Sequence, residues 1–488
     1  MTPQPSLKLK TARTLKWNTI DRVSSQVLYA VTGIVLANVL PPEDFGLVGV
    51  ILIFQAFAIL FVDSGFGAAL LQKKEPDNND YSTVFWFNLA MSASVYVILF
   101  FCAPLIADIF HGDRRLIPLS RVMFISFIIN GLGIVQTNRL MKRMDVRQVA
   151  IANVVGLTLS GIVGIWLALS GGGAWALVWQ TIILAFVKTG WLWMVERWVP
   201  AAIFSMKSLK NIYRVGMGVF TGSFFNTLFL NIYSFVIGAW FSFTKLGDYT
   251  QADKWSKMGS ASISQILTAT FIPVLSQYQD DPPCYHSLMS KINGFTAFLL
   301  YPVMLGLVVA AAPVFHLLFG NKWDAAILLF QILLVRGIFT VLTSLCNNYL
   351  LSLGHAKSIV RLEVVKDVLT AIAIVATIFM RSVPALVWGQ LVAGFLTYIY
   401  ALRLSCRNTG YRKERMWTDQ IRYIILSLIA VGLAWPIASL NLMPSILMLL
   451  QIAVIGVVYL GVLFILRDPF LQQGSAYVFG RFRRNKIL

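Results

Sequence analysis

Charged residues inside long apolar stretches are the residues of this sequence best placed to do chemistry. Asp253, Lys254 and Lys257 lie in the apolar stretch 248–275, and Arg336 lies inside a later one. A charge at the centre of a bilayer costs roughly 2.5–3.5 kcal/mol on insertion scales, so its side chain must face a partner or a hydrated cavity. The cations in this set therefore predict an anion-binding site inside a membrane.

Arg336 is the best candidate for holding a phosphate, because arginine stays charged and presents a planar fork of donors. An alternative, in which Arg336 only binds backbone carbonyls of neighbouring helices, stays open. Lys254 shares a helix face with Gln265, and a helix that is polar along its length cannot face lipid. Three further arginines lie nearer the ends of their stretches, where a long side chain can also reach the headgroup region. The candidate residues for an anionic substrate are Arg336, Lys254, Lys257, Arg121, Arg22, Arg214 and Gln265.

Three carboxylates could couple transport to an ion. Asp63 precedes a glycine-containing turn inside an apolar stretch, where a carboxylate can titrate, bind a cation or act only as a hydrogen-bond acceptor. Glu363 and Asp367 are four residues apart on one helix face, which is costly unless one is protonated or a cation lies between them. Lys366 can instead pair with Glu363, and a solvated helix end explains this cluster equally well.

The apolar stretches themselves define the fold class. About fourteen of them run through the chain, each long enough to cross roughly 30 Å of hydrocarbon as a helix. The composition agrees, with 58% hydrophobic and only 12% charged residues. Backbone groups in lipid must be satisfied internally, and the ten-residue alternation of a β-barrel is not visible. The sequence predicts an all-α integral membrane protein of about 14 transmembrane helices.

The net charge of +19 is explained by its distribution along the chain. Basic residues concentrate in alternate loops and at both ends, which is typical of cytoplasmic segments and predicts cytoplasmic N- and C-termini. Because a membrane orientation signal accounts for the charge, no nucleic-acid partner is expected. Residues that represent the basic side are Lys8, Arg13, Arg143, Arg197, Arg412 and Arg484, and those of the opposite side include Arg114, Lys245 and Lys322.

No motif for catalysis or cofactor binding is present. The sequence contains no GxxxxGK[ST], HExxH or GxSxG pattern, and no large loop exists to hold a transferase site. The 4 cysteines and 4 histidines are scattered, without the spacing of a metal site. We therefore expect a protein that is not an enzyme, with no catalytic residues, no metal and no cofactor.

A weak internal repeat divides the chain. The first and seventh apolar stretches are both unusually polar, and each is followed by a glycine start, Phe45-Gly46 and Leu246-Gly247. Parallel repeats of this kind occur in transporters. The expected organisation is a basic cytoplasmic tail at 1–19, an N-lobe of six helices at 20–195, a cytoplasmic linker at 196–210, a C-lobe of six helices at 211–405, two additional helices at 406–466 and a basic tail at 467–488.

Short sequence motifs in this order resemble a known family. They are Phe45-Gly46-Leu47, Asp63-Ser64-Gly65-Phe66-Gly67, Phe271-Ile272-Pro273 with Ser276-Gln277, and Phe319-Gly320-Asn321-Lys322-Trp323. The whole chain, with six plus six plus two helices, resembles the polysaccharide-transporter branch of the MOP (multidrug/oligosaccharidyl-lipid/polysaccharide) exporter superfamily. The similarity is greatest to Wzx-type flippases of the colanic-acid-exporter kind.

The resemblance implies a flippase of the bacterial inner membrane that moves an undecaprenyl-pyrophosphate-linked glycan for capsule, exopolysaccharide or lipopolysaccharide O-antigen synthesis. It implies alternating access of two lobes around a cationic cavity, with H⁺ or Na⁺ as the coupling ion of an antiporter and with a polymerase and other export proteins as partners. Two alternatives stay open at this point: a lipid II flippase and a cation-coupled multidrug exporter of the same superfamily.

Overall fold

The computed structural model describes residues 7–63, 66–440 and 442–472. Within these ranges the backbone forms α-helices, short 3₁₀ turns and connecting loops, and no β-strand occurs. For residues 7–13, 15, 63, 68, 211–216 and 219 only the backbone is described. The expected all-α fold is therefore confirmed for the described part of the chain.

The first half of the chain contains ten helices, several of them longer than a bilayer requires. Loops between them are short, as expected for helices that return across a membrane. Their bounds are α1 Leu7–Val39, α2 Pro42–Asp63, α3 Phe66–Gln72, α4 Asn78–Ile109, α5 Leu116–Met123, α6 Ile125–Lys142, α7 Val146–Leu169, α8 Ala174–Glu196, α9 Met206–Trp240 and α10 Phe243–Gln277.

The second half adds seven helices and two 3₁₀ turns. The turns, Asn321–Trp323 and Trp435–Ser439, lie directly before α13 and directly after α16. The helices are α11 Pro282–Val309, α12 Ala311–Phe319, α13 Asp324–Ser352, α14 Ala356–Ile378, α15 Val383–Thr409, α16 Lys413–Ala434 and α17 Pro444–Ile465.

Twelve helical segments of the described chain are long and apolar enough to cross a membrane. Helices α1 and α14, with 33 and 23 residues, are long enough to cross a membrane but are not among these twelve segments. Twelve spans together with these two helices are compatible with the fourteen predicted. One predicted stretch, 117–138, lies in a span whose helix is interrupted at Phe124.

Contacts divide the chain into two compact units, Met1–Thr250 and Gln251–Leu488. In the first, α7 packs against α1 and α8, α6 packs against α4 and α8, and α2 packs against α9. In the second, α13 packs against α11 and α15, α14 packs against α15, and α16 joins α11 to α17. The lobe boundaries expected from the repeat, 20–195 and 211–405, stay a prediction.

Two prolines inside helices free a carbonyl that a neighbouring helix then binds. Pro104 in α4 has no N–H for the oxygen of Phe100, and Arg121 Nε donates to that oxygen at 3.2 Å. Pro302 in α11 likewise leaves the oxygen of Phe298, which accepts from the hydroxyl of Tyr459 at 2.9 Å. Each kink therefore fixes a second helix in place, because an unpaired carbonyl inside a membrane is costly.

The two glycines of the internal repeat bring the starts of α2 and α10 into backbone contact within the first unit. A Cβ added to Gly46 would lie 2.9 Å from Phe243 Cα and closer still to the carbonyl oxygen of that residue. A Cβ added to Gly247 would lie 3.2 Å from Gly46 N and closer still to the carbonyl oxygen of Pro42. The contact is reciprocal and is possible only because neither residue has a side chain.

The linker that precedes α9 is held along the first turns of α4. The backbone N–H of Ala201 donates to Ser82 Oγ at 3.1 Å, and that of Ser205 donates to Thr83 Oγ1 at 3.0 Å. Trp86 Nε1 donates back to the oxygen of Ala201 at 2.8 Å. Since these bonds satisfy backbone groups outside a helix, the segment is an ordered part of the first unit.

The two C-terminal helices are integral to the second unit. Asp419 of α16 accepts hydrogen bonds from Ser290 and Tyr411, each at 2.7 Å. The buried Asp468, after α17, accepts from the hydroxyl of Tyr423 at 2.8 Å and forms an ion pair with Arg422 at 3.2 Å. Burial and the hydrogen bond to Asp419 both raise the pKa of Tyr411, so its hydroxyl stays a donor.

Candidate functional site

The cations predicted to bind an anion are brought together by two helices of the second unit. Lys257 Nζ of α10 lies 2.6 Å from Asp253 Oδ2, one turn earlier on the same helix. Arg336 Nη1 of α13 lies 3.8 Å from the other oxygen, Asp253 Oδ1. We name these three residues, Asp253, Lys257 and Arg336, the charged triad.

The charged triad lies well inside two long apolar helices. Asp253 is ten residues after the start of α10 and Arg336 is twelve after the start of α13. At 1.5 Å per residue these positions are about 15–18 Å along their helices, which is roughly half of a 30 Å hydrocarbon core. Charges at that depth are expensive unless they are paired or hydrated, so their grouping calls for a functional explanation.

Small residues allow α10, α13 and α15 to approach closely around the triad. Gly337, which follows Arg336, faces Ser260 of α10 so closely that a Cβ would lie 3.3 Å from the serine Cβ. On α15, a Cβ at Gly394 would lie 3.5 Å from Arg336 Cγ. Close packing of small residues is how helices associate without a hydrophobic driving force between them.

A hydrogen bond across the same helix pair supports this arrangement. Asn348 Nδ2 of α13 donates to Thr268 Oγ1 of α10 at 3.0 Å. Together with the contact between Gly337 and Ser260, this bond fixes the rotation of both helices about their axes. Arg336 is therefore directed to α10 by packing and hydrogen bonding rather than by charge alone.

The positive charge of the triad is only partly compensated by Asp253. It carries two positive charges and one negative charge, and side-chain exposure is 43% for Lys257, 24% for Arg336 and 13% for Asp253. Asp253 Oδ1 is buried and accepts no hydrogen bond from the described residues. Because 3.8 Å exceeds hydrogen-bond length, Arg336 retains donors that an anion could use.

Lys254 and Gln265 lie on α10 beside the triad but do not join it. Lys254 Nζ lies 5.3 Å from the ring centroid of Trp255, a cation–π distance. Gln265 is exposed and lies about three helical turns after Lys254, on the same face of α10. These two residues extend a polar surface along α10 away from the triad.

The other arginines of the predicted set lie in the first unit. Arg121 is bound locally, by the carbonyl of Phe100 and by the ring of that residue, whose centroid lies 4.2 Å from the guanidinium carbon. Arg22 is exposed on α1, and its neighbour Asp21 accepts from Asn153 Nδ2 at 3.2 Å. The side chain of Arg214 lies outside the described residues.

The predicted ion-coupling carboxylates differ in how they are paired. Lys366 forms an ion pair with Glu363, three residues apart on α14. Asp367, one turn from Glu363, has a buried Oδ1 that accepts no hydrogen bond from the described residues. The side chain of Asp63, at the end of α2, lies outside the described residues.

Two carboxylates of α10 were not part of the predicted site. Asp253 was noted in the sequence as an embedded charge but was not placed in the site, because its partner Arg336 is distant in the chain. Asp248 is 4% exposed, and its Oδ1 accepts no hydrogen bond from the residues that the structure describes. No sequence signal separates Asp248 from an ordinary residue near a helix start.

A further charged cluster lies where α4 ends and α2 begins. Arg115 binds both carboxylate oxygens of Asp113, with Nη2 at 2.7 Å from Oδ2, and it also pairs with Glu43. The Arg115 guanidinium holds the pKa of Asp113 below its usual range. A cavity of about 320 Å³ adjoins this cluster and is lined by Glu43, His111, Trp240, Phe241, Ser242, Phe243 and Thr244.

Comparison with known proteins identifies relatives over most of the chain. A family model described as "Polysaccharide biosynthesis protein" matches residues 35–328. The chain is 26% identical to the succinoglycan biosynthesis transport protein ExoT of Rhizobium meliloti (strain 1021), over 80% of this chain and 78% of that protein. It is 24% identical to the lipopolysaccharide biosynthesis protein WzxC of Escherichia coli (strain K12), over 80% and 77% of the two chains.

Solved structures share the fold. A lipid II flippase, MurJ, in an inward closed conformation matches with a TM-score of 0.74 and 14% identity, over 92% of this chain and 98% of that one. An inward-facing MATE multidrug transporter of the MOP superfamily matches with a TM-score of 0.59 and 17% identity, over 78% and 95%. The family model covers more than half of the chain, which therefore belongs to the polysaccharide biosynthesis protein family.

Proposed function

We propose that this membrane transporter flips undecaprenyl-pyrophosphate-linked oligosaccharide repeat units across the bacterial inner membrane for synthesis of a cell-surface polysaccharide. The observation that carries the proposal is the charged triad, in which Lys257 and Arg336 share one carboxylate well inside two membrane-spanning helices. A pyrophosphate carries several charge-accepting oxygens, which suit a lysine and an arginine that are incompletely paired.

The relatives support this function over the alternatives. The matched transport proteins act in succinoglycan and lipopolysaccharide biosynthesis, as their names state, at 24–26% identity. The likeness to the lipid II flippase and to the multidrug transporter is at 14% and 17% identity and concerns the fold alone. In addition, an embedded site with an excess of cations suits an anionic headgroup and is unsuited to cationic drugs.

The transport cycle is proposed to be alternating access by the two six-helix lobes around a cationic cavity. The charges of the loops support a cytoplasmic location for both chain ends. Since no nucleotide-binding motif is present, an H⁺ or Na⁺ gradient is the proposed driving force. Asp63, Glu363 and Asp367 are the proposed coupling residues, because a carboxylate whose protonated and ionised forms favour different conformations can bias the return of the empty carrier.

Replacement of Arg336 tests the proposed function. We expect Arg336→Ala to lower affinity for undecaprenyl pyrophosphate about tenfold or more, because a hydrogen bond to a charged group contributes roughly 1.5–3 kcal/mol. Arg336→Lys should restore only part of this affinity, since it loses the two-point geometry. Binding is measured on purified protein in nanodiscs, and export is measured as surface polysaccharide in a flippase-deletion strain.

Lys245→Ala is the matched control, because Lys245 is an exposed lysine on the same helix as Lys257, near its start. This variant should retain wild-type binding and export at equal protein abundance. If Arg336→Ala exports polysaccharide normally, Arg336 has only a structural role and the proposed headgroup site is wrong.

A further inference from the structure

Asp253 is the only acidic member of the charged triad, and its two oxygens are in different states. Oδ2 forms a close ion pair with Lys257 at 2.6 Å. Oδ1 faces Arg336 at 3.8 Å and accepts no hydrogen bond from the described residues. One carboxylate therefore lies between two cations while it binds only one of them tightly.

Electrostatics explain why a carboxylate is present in a site for anions. Two cations at the centre of a membrane repel each other and are poorly hydrated, so an empty site without a counter-anion would be strongly destabilised. A carboxylate offers the same kind of charged oxygen as a phosphate, and it occupies the position between Lys257 and Arg336 that a phosphate oxygen would take. Asp253 thus resembles the substrate in the chemistry that the two cations recognise.

We propose that Asp253 is a resident counter-anion that the pyrophosphate headgroup displaces when it binds and that pairs again with the cations when the headgroup leaves. This inference rests on the proposed function of the same site. Binding is then an exchange of anions, so affinity is reduced and release is accelerated relative to a site without Asp253. The 43% exposure of Lys257 gives an incoming headgroup access to the pair that it must open.

Asp253→Asn tests the exchange, because it keeps the shape of the side chain and removes its charge. We expect the Kd for undecaprenyl pyrophosphate in nanodiscs to fall about tenfold or more. In proteoliposomes KM and kcat should fall together, because release becomes slow. Unchanged or weaker diphosphate binding by Asp253→Asn, with wild-type export, would overturn the proposal.

Two further variants keep the test decisive. Asp253→Glu retains the carboxylate and should keep the Kd for the diphosphate within about threefold of wild type. If uncompensated charge prevents Asp253→Asn from folding, the double variant Asp253→Asn with Lys257→Gln restores the net charge of the wild-type triad. It should bind the diphosphate more tightly than Lys257→Gln alone, because Arg336 no longer faces a competing carboxylate; equal or weaker binding would contradict the proposal.

The proposed function and this inference fail in different ways. If Arg336→Ala binds and exports normally, the site does not hold the headgroup and both ideas fall. If Arg336→Ala loses binding while Asp253→Asn binds like wild type, the proposed headgroup site is supported and the proposed exchange of anions is contradicted. The two outcomes are read in the same nanodisc and proteoliposome assays.

Discussion

The contact between the starts of α2 and α10 predicts a strong effect of a single methyl group. In Gly46→Ala the new Cβ would lie 2.9 Å from Phe243 Cα and would overlap the carbonyl oxygen of that residue. Ordinary van der Waals contact begins at about 3.4 Å. Because the obstacle is backbone rather than a side chain that can rotate, the two helix starts must move apart.

The free-energy cost follows from overpacking. An extra methyl in a well-packed contact costs about 1–3 kcal/mol. At 1.4 kcal/mol per tenfold change, this shifts the equilibrium between the closed and separated helix starts by about 5- to 150-fold. Gly247→Ala should act in the same direction, since its Cβ would overlap the carbonyl oxygen of Pro42.

Chemical labelling at position 246 can measure the separation of the starts of α2 and α10. Leu246 is fully buried, and its side chain lies close to Gly49 of α2 and to Gly238 of α9. In a variant without its native cysteines, a cysteine at Leu246 should react slowly with a water-soluble maleimide in nanodiscs. Adding Gly46→Ala should accelerate the reaction several-fold or more, because the cysteine becomes accessible when α2 moves away.

Gly49→Ala provides the matched control, one turn further along α2. The Cβ added at Gly49 would lie 3.3 Å from its nearest neighbour, Thr250 Oγ1, which belongs to a side chain that can move. This variant should label at nearly the rate of the parent. If Gly46→Ala also labels at the parent rate while folded, the close backbone contact is not what holds these helix starts together.

Three further results are expected. Tyr459→Phe should lower the free energy of unfolding of the detergent-purified protein by about 1–3 kcal/mol, because the carbonyl oxygen of Phe298 loses its hydrogen-bond donor. An unchanged melting temperature would show that water or another group replaces that donor. Single cysteines should be labelled only from the cytoplasm near Arg143 and Arg412 and only from outside near Lys322, and cytoplasmic labelling near Lys322 would contradict the orientation. Flux in proteoliposomes should rise with an imposed pH or Na⁺ gradient and lose that dependence in Asp63→Asn or Glu363→Gln; flux indifferent to both gradients would rule out the coupling.

The sequence by itself determined the class of this protein. Long apolar stretches predict helices because lipid offers the backbone no other hydrogen-bond partners, and that signal is local. The short motifs and their order indicated a family of polysaccharide transporters, and the match to the polysaccharide biosynthesis protein family confirms it. Even the cations of the charged triad could be selected from depth and residue type alone, since a charge in an apolar stretch is visible without knowledge of its neighbours.

Only the tertiary structure decided what those charges do. Hydropathy gives the depth of a residue but does not give the rotation of its helix or the neighbour that it faces. Asp253 and Arg336 are 83 positions apart, and their proximity depends on how α10 and α13 pack around Gly337. Arg121 was predicted from the sequence to belong to the same site as Arg336, yet its guanidinium is bound by a carbonyl that Pro104 leaves free.

The glycines of the repeat show the same division. Gly46 and Gly247 could be recognised as corresponding glycines of an internal sequence repeat. Their contact, however, depends on the approach of two backbones, which no local pattern encodes. Helix partners inside a membrane are chosen by shape and hydrogen bonding, because lipid and side chains are equally apolar. The sequence therefore determined which segments cross and which residues are costly to bury, and the packing decided which of them meet.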